Sequence, residues 1–186
     1  MRHDRAFLAA ALLAAAALVP GRPAFAQDDL AAVQGRVAAA MGSAGSYVAT
    51  TRGGGYVATT TYVAPDRYAS TLNYAGIPYN VVLVGTQAYV SEAGGPWRTI
   101  AVPPVVATIQ NELKNVPVDR LLPPTTVDGR TLGRFLTTSA GADHDQRLTC
   151  AYDLQSYRLV SCSNSAITIS FDRYDDPANT IAIPTP

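Results

Sequence analysis

The chain has 186 residues, of which 48% are hydrophobic and 15% charged, and its formal net charge is 0. That length suits one domain of ordinary size able to bury its own core. The charge balance excludes the basic footprint of a nucleic-acid binder and a basic stripe for anionic headgroups.

The first residues read as a secretory signal. Arg2 and Arg5 form a positive n-region, Phe7 to Leu18 an Ala/Leu h-region, and Ala24-Phe25-Ala26 fits the small-x-small cleavage rule. Cleavage after Ala26 removes residues 1–26 and leaves a single domain, 27–186. The apolar run is short for a bilayer span, and no later segment approaches the ~20 apolar residues that a span needs. Retention of the h-region as an anchor is the lesser reading. Without Arg2, Arg5, Arg22 and Asp4, the remaining chain carries 11 basic and 13 acidic side chains, a net −2. No cysteine lies near this end, so a lipidated N-terminal Cys is not expected.

Asp28 or Asp29 can cap a helix continuing to about Met41, since Leu30, Val33, Val37 and Met41 recur at spacings of 3, 4 and 4. Gly42 supplies the stop. Two near-identical segments follow, Tyr47 to Thr51 and Tyr56 to Thr60, with a glycine turn between them. They read as a hairpin and not as a solenoid repeat. Pro65 permits an edge or bulge before the next strand, Arg67 to Leu72. Gly76-Ile77-Pro78 reads as a turn. Tyr79 to Val84 and Gln87 to Ser91 then form strands joined by Gly85-Thr86, with Gly first as a type II′ loop needs. Gly94-Gly95-Pro96 breaks the pattern and Trp97 to Ile100 resumes it. Trp97 is either a core plug or a cavity-rim residue.

Pro103-Pro104 followed by Val105, Val106, Ile109 and Leu113 reads as a short helix with Pro at its start. Pro117 and Pro123-Pro124 bound an irregular link. Strands return at about 125–127 and 131–138 around Asp128-Gly129, a hairpin signal. Ser139 to Gln146 is a small polar loop; 147–154 and 157–162 form another hairpin, and 166–171 a last long strand. Asp175-Asp176-Pro177 turns the chain, and Ile181 to Pro184 closes it. Nine to eleven strands with two helical segments make an α+β domain built on an antiparallel sheet.

The residues offer little chemistry. His144, in Asp143-His144-Asp145, is the one histidine after residue 26, and it has no second histidine or G-x-S-x-G elbow to join. It reads as a solvated loop residue. Asp172, Asp175 and Asp176 lack the glycine and terminal Glu of an EF-hand loop and read as a turn with solvated carboxylates. No metal, cofactor or catalytic residue is therefore assigned, and the chain is read as a non-enzyme. Cys150 and Cys162 lie symmetrically about Ser156. Pairing Leu154 with Arg158 sets Tyr152 opposite Val160 and Cys150 opposite Cys162, which predicts a structural disulfide in an exported chain; reactive thiols are the alternative.

The motifs Ala44-Gly45-Ser46-Tyr47, Pro65-Asp66-Arg67-Tyr68, Val84-Gly85 through Tyr89-Val90, Trp97-Arg98, Val127 to Thr131 and Phe171 to Tyr174 occur in an order that resembles the LolA/LppX-like superfamily of exported lipoprotein-carrier and lipid-binding domains. The resemblance implies a strongly curved antiparallel sheet, an incomplete barrel, whose concave apolar side is lidded by the N-terminal helix and the short inserted helix. It implies no enzyme activity, and a lipid or acyl chain as partner. The cavity candidates are then Trp97, Val82, Val84, Tyr89 and Leu113. An interaction or stress-sensing module that contacts envelope lipoproteins or other envelope proteins, with no cargo, is the alternative. Two departures stand out: the carrier's Asp-Gly-Lys turn is Gly85-Thr86-Gln87 here, and the lipidated cysteine of some relatives has no counterpart.

Overall fold

A computed structural model describes residues 29–102, 115–138 and 147–185. The expected signal peptide, the inserted helix with Leu113, and the His144 loop lie outside the described residues. Within them are one helix, α1 (Leu30–Gly42), and eleven strands: β1 (Ser46–Gly53), β2 (Tyr56–Val63), β3 (Arg67–Tyr74), β4 (Ile77–Val84), β5 (Gln87–Glu92), β6 (Arg98–Ala101), β7 (Arg120–Val127), β8 (Arg130–Thr138), β9 (Arg147–Asp153), β10 (Leu159–Ser163) and β11 (Ile167–Asp172).

All eleven strands form one antiparallel sheet in the order β6-β5-β4-β3-β2-β1-β11-β10-β9-β8-β7. The chain starts near the centre, meanders out to β6, resumes at the opposite edge with β7, and returns to lay β11 beside β1. Only that β1–β11 junction joins strands distant in sequence. The sheet is open, with β6 and β7 at its ends. A twisted sheet this wide curls, and the architecture is that of a half-barrel.

The turns follow local chemistry. Gly85 takes φ +57° with no positive φ at Thr86, as a Gly-first loop requires. Gly54-Gly55 and Asp128-Gly129 have positive φ at both positions, which closes β1–β2 and β7–β8 tightly. Gly53 has a different reason to be glycine. A Cβ there would lie 2.2 Å from the Ala166 carbonyl oxygen and 2.7 Å from Ile167 Cα, so the central junction closes only on a bare backbone.

Asp29 caps α1 by accepting a hydrogen bond from Ala31 N–H at 3.3 Å. Val33, Val37 and Met41 are 0%, 1% and 1% exposed, so the expected stripe is the packed one. It meets an aromatic row on one face of the sheet. Tyr47 pairs with Tyr62, and Tyr62 with Tyr68, with ring centroids 5.1 Å apart in both pairs. Phe171, Phe135, Tyr152 and Leu159 extend this core over β8–β11.

Cys150 and Cys162 are bonded and face each other in register, their Cα atoms 4.0 Å apart. The register leading to them differs from the symmetric expectation. Tyr152 pairs with Leu159, and a bulge falls between Leu159 and Ser161. The cause is the turn: Asp153 Oδ1 accepts from Ser156 N–H at 2.8 Å, Gln155 N–H at 3.1 Å and Ser156 Oγ at 2.9 Å, and Tyr157 takes φ +58°. This loop is wider than the one that symmetry about Ser156 implies.

Other boundaries also move. Pro78 lies inside β4 opposite Asn73, since Ala75-Gly76 makes the turn. Pro123-Pro124 lies inside β7, where a register shift separates Leu122 from Thr125; an edge strand with a bulge tolerates the missing N–H groups. Ile181 to Pro184 forms no strand. Asp175 and Asp176 are structural carboxylates rather than freely solvated ones. Asp175 Oδ1 accepts from Gly45 N–H at 2.7 Å and its Oδ2 meets Arg158, while Asp176 accepts from Ala178 N–H at 2.8 Å and Arg173 Nε at 3.0 Å. With Asn179, whose amide donates to Ser46 Oγ at 3.0 Å, they clasp the C-terminal segment to the start of β1.

Candidate functional site

Side chains alternate between the two faces of a strand, so the register assigns each residue a side. Tyr47, Tyr62, Tyr68 and Leu83 share the α1 side. Two residues further along each strand on that side come Ala49, Thr60, Ser70, Val81 and Val90; two more bring Thr51, Ala58, Leu72 and Tyr79. All nine are half-buried. Leu83, Ala49 and Ile169 pack on the core, whereas the floor of β2–β4 beyond them does not belong to it.

These rows make one strip of the sheet, here termed the trough: the aromatic row lies at one end, Leu72 and Tyr79 towards the other, and the small side chains Ala49, Ala58 and Ser70 between them. From β1 to β5 it crosses four strand spacings, on the order of 19 Å. Its polar groups on the floor are hydroxyls, and Thr60 Oγ1 and Ser70 Oγ satisfy each other at 3.1 Å. The other face of the same strands carries Arg52, Thr59, Thr71, Asn73 and Asn80 together with Val48, Val57, Val82 and Val84.

Among the described residues of β1–β6, charge on this side stands at the rim. Tyr79 Oη donates to Glu92 Oε1 at 3.3 Å, and Arg98 Nη2 lies 3.8 Å from Glu92 Oε2. Desolvation and the neighbouring Glu92 carboxylate push the Tyr79 phenol above its ordinary pKa. In the core, burial, then Tyr47, pushes the Tyr174 phenol well up; its hydroxyl donates to the Leu159 carbonyl at 2.9 Å. No chemistry that transfers protons near neutral pH follows from either. Among the described residues no group of three or more His, Cys, Asp and Glu is placed to hold a metal.

The register puts Val82, Val84 and Tyr89 together, with Val82 opposite Tyr89, but on the face away from α1. Val82 is buried and the other two half-buried, and Tyr89 Oη donates to Gln87 at 2.9 Å. The loop to Trp97 is fastened on this side, Ser91 Oγ donating to the Gly95 carbonyl at 2.7 Å. Trp97 is half-buried just before β6. Val81 alternates with Val82 along β4 and so lies on the α1 side; Thr60, Ser70 and Ala58 carried no signal of their own. Elsewhere, a shallow depression of about 320 Å³ lies at the β1–β2 tip, lined by Arg52, Gly53, Gly55, Tyr56, Val57 and Asn73.

No protein-family model matches the sequence, and no curated protein matches it. Solved structures do match in fold. The lipoprotein LppX of Mycobacterium tuberculosis superposes with TM-score 0.59 at 17% identity, over 80% of this chain and 96% of that one. LprF of Mycobacterium bovis gives TM-score 0.54 at 10% identity, over 83% and 95%. Nearly the whole of each of those chains is covered. The chain has the LolA/LppX-like fold.

Proposed function

We propose that this chain is an exported binding protein that shields a lipid or another apolar ligand in the trough beneath α1, and that it performs no catalysis. In this reading residues 1–26 direct export and 27–186 form one carrier domain, with α1 over one end of the trough. The observation that carries it is the trough itself. The α1 side of β1–β5 continues past the filled aromatic core as a half-buried floor on which, among the described residues, Glu92 at the rim is the one charged side chain, in a fold whose sequence resemblance is to lipid and lipoprotein carriers. The disulfide fits an oxidising compartment.

Burying one CH₂ contributes ~0.8 kcal/mol, so an acyl chain needs no charged contact to stay bound. Hydroxyls already bonded to each other cost less to cover than hydroxyls with no partner. Native mass spectrometry of gently purified protein, followed by organic extraction, tests the reading. A ligand mass that extraction removes and identifies as a lipid is the expected result. Ligand-free protein that also fails to bind the fluorophore N-phenyl-1-naphthylamine would overturn it.

A further inference from the structure

Glu92 and Arg98 are, among the described residues, the charged side chains on the α1 side of β1–β6. They stand side by side at one rim of the trough, Glu92 in register with Tyr79 and Arg98 with Val90. Their separation of 3.8 Å exceeds that of a good charge-assisted hydrogen bond, and their side chains are 69% (Arg98) and 47% (Glu92) exposed. Such a pair holds itself together weakly and opens at little cost. Tyr79 Oη keeps the carboxylate oriented at 3.3 Å.

We propose that this pair is a head-group subsite, which suits the trough to single-chain amphiphiles with zwitterionic heads. The acyl chain lies on the Ser70–Val81 floor; the anionic phosphate faces Arg98 and the ammonium faces Glu92. The inference rests on the trough being a lipid site and deepens it. A head bearing only an anion would set its charge beside Glu92, and a neutral head would leave both groups unused. A zwitterion matches the two together. Inward charges also guard sheet edges against strand addition. In that role they would change self-association and leave ligand preference alone.

The test uses the processed protein loaded with N-phenyl-1-naphthylamine. Displacement is measured for a lysophosphatidylethanolamine, the fatty acid of the same chain length and the matching monoacylglycerol. The wild type is expected to favour the zwitterion over the monoacylglycerol by about tenfold, the weight of one good charged contact. Arg98→Gln should erase that preference, and Glu92→Gln should bring the fatty acid level with the zwitterion. A wild type that binds the fluorophore but ranks the three lipids equally overturns the subsite alone, as does an unchanged ranking in both variants. No binding of fluorophore or lipid overturns the trough and the subsite together.

Discussion

Removing the Asp153 carboxylate should loosen the turn that positions the disulfide hairpin. Oδ1 accepts three hydrogen bonds from Gln155 and Ser156, and Oδ2 accepts one from Arg130 Nη2 at 2.7 Å. The Ser156 backbone N–H does most to hold its pKa low, at about 2 against 3.8, with burial opposing and Arg130 adding to the lowering. Taken whole, that shift corresponds to roughly 2.4 kcal/mol. Arg130 is 65% exposed, so solvent screening reduces the expected contribution to about 1–2 kcal/mol. A depressed pKa stabilises the fold fully above the unfolded value of 3.8, and the contribution disappears as pH falls from about 4 to about 2. Asp153→Ala should therefore lose about 2 kcal/mol at pH 6, and Asp153→Asn about 1, because the amide oxygen can still cap the turn. Urea unfolding at pH 6, 4 and 2.5 gives the comparison. The wild-type advantage over Asp153→Asn should shrink towards pH 2.5; Asp175 and Asp176, also held low, cancel in that difference. An advantage that stays constant with pH, or an Asp153→Ala variant as stable as wild type, would refute the reasoning.

Three further outcomes follow from the packing. Gly53→Ala should cost about 3 kcal/mol or more, because its Cβ meets strand backbone that cannot swing aside; a urea midpoint within error of wild type would contradict the close β1–β11 approach. Gly133→Ala should also destabilise, by about 1–3 kcal/mol, since the new Cβ would fall 2.2 Å from the Tyr152 ring that covers it, and near-UV circular dichroism should report the displaced ring. Reducing Cys150–Cys162, which are 12 residues apart, should lower stability by about 3 kcal/mol on the chain-entropy estimate while preserving the fold. Thiol labelling of the non-reduced protein should find neither cysteine free.

Much of the architecture was legible where a short sequence determines the backbone. Gly85-Thr86, Asp128-Gly129 and the glycine turn after β1 each announce a hairpin, and the Val33–Val37–Met41 spacing gives the packed face of α1. The β1–β11 junction was not legible, because nothing local to Gly53 says that Ile167 will lie against it. Pro123-Pro124 misleads for a related reason: proline argues against a strand only where its N–H is needed, and edge position is a property of the whole sheet. The site was harder still. Val81-Val82-Leu83-Val84 is apolar without alternation, so its composition carries no phase, and the face beneath α1 emerges only from the register with Tyr68 and Tyr62. The trough floor is made by small residues, whose contribution is the space they leave.

That phase supplies the most direct test of the central claim. Ala58 and Thr59 are neighbours on β2, Ala58 half-buried on the α1 side and Thr59 exposed on the other. Ala58→Trp should fill the trough and weaken N-phenyl-1-naphthylamine binding by about tenfold or more, the scale of a lost apolar contact, in protein that keeps its far-UV circular dichroism. Thr59→Trp should bind the fluorophore as wild type does. Equal binding by the two folded variants, or a loss confined to Thr59→Trp, would contradict a ligand site beneath α1.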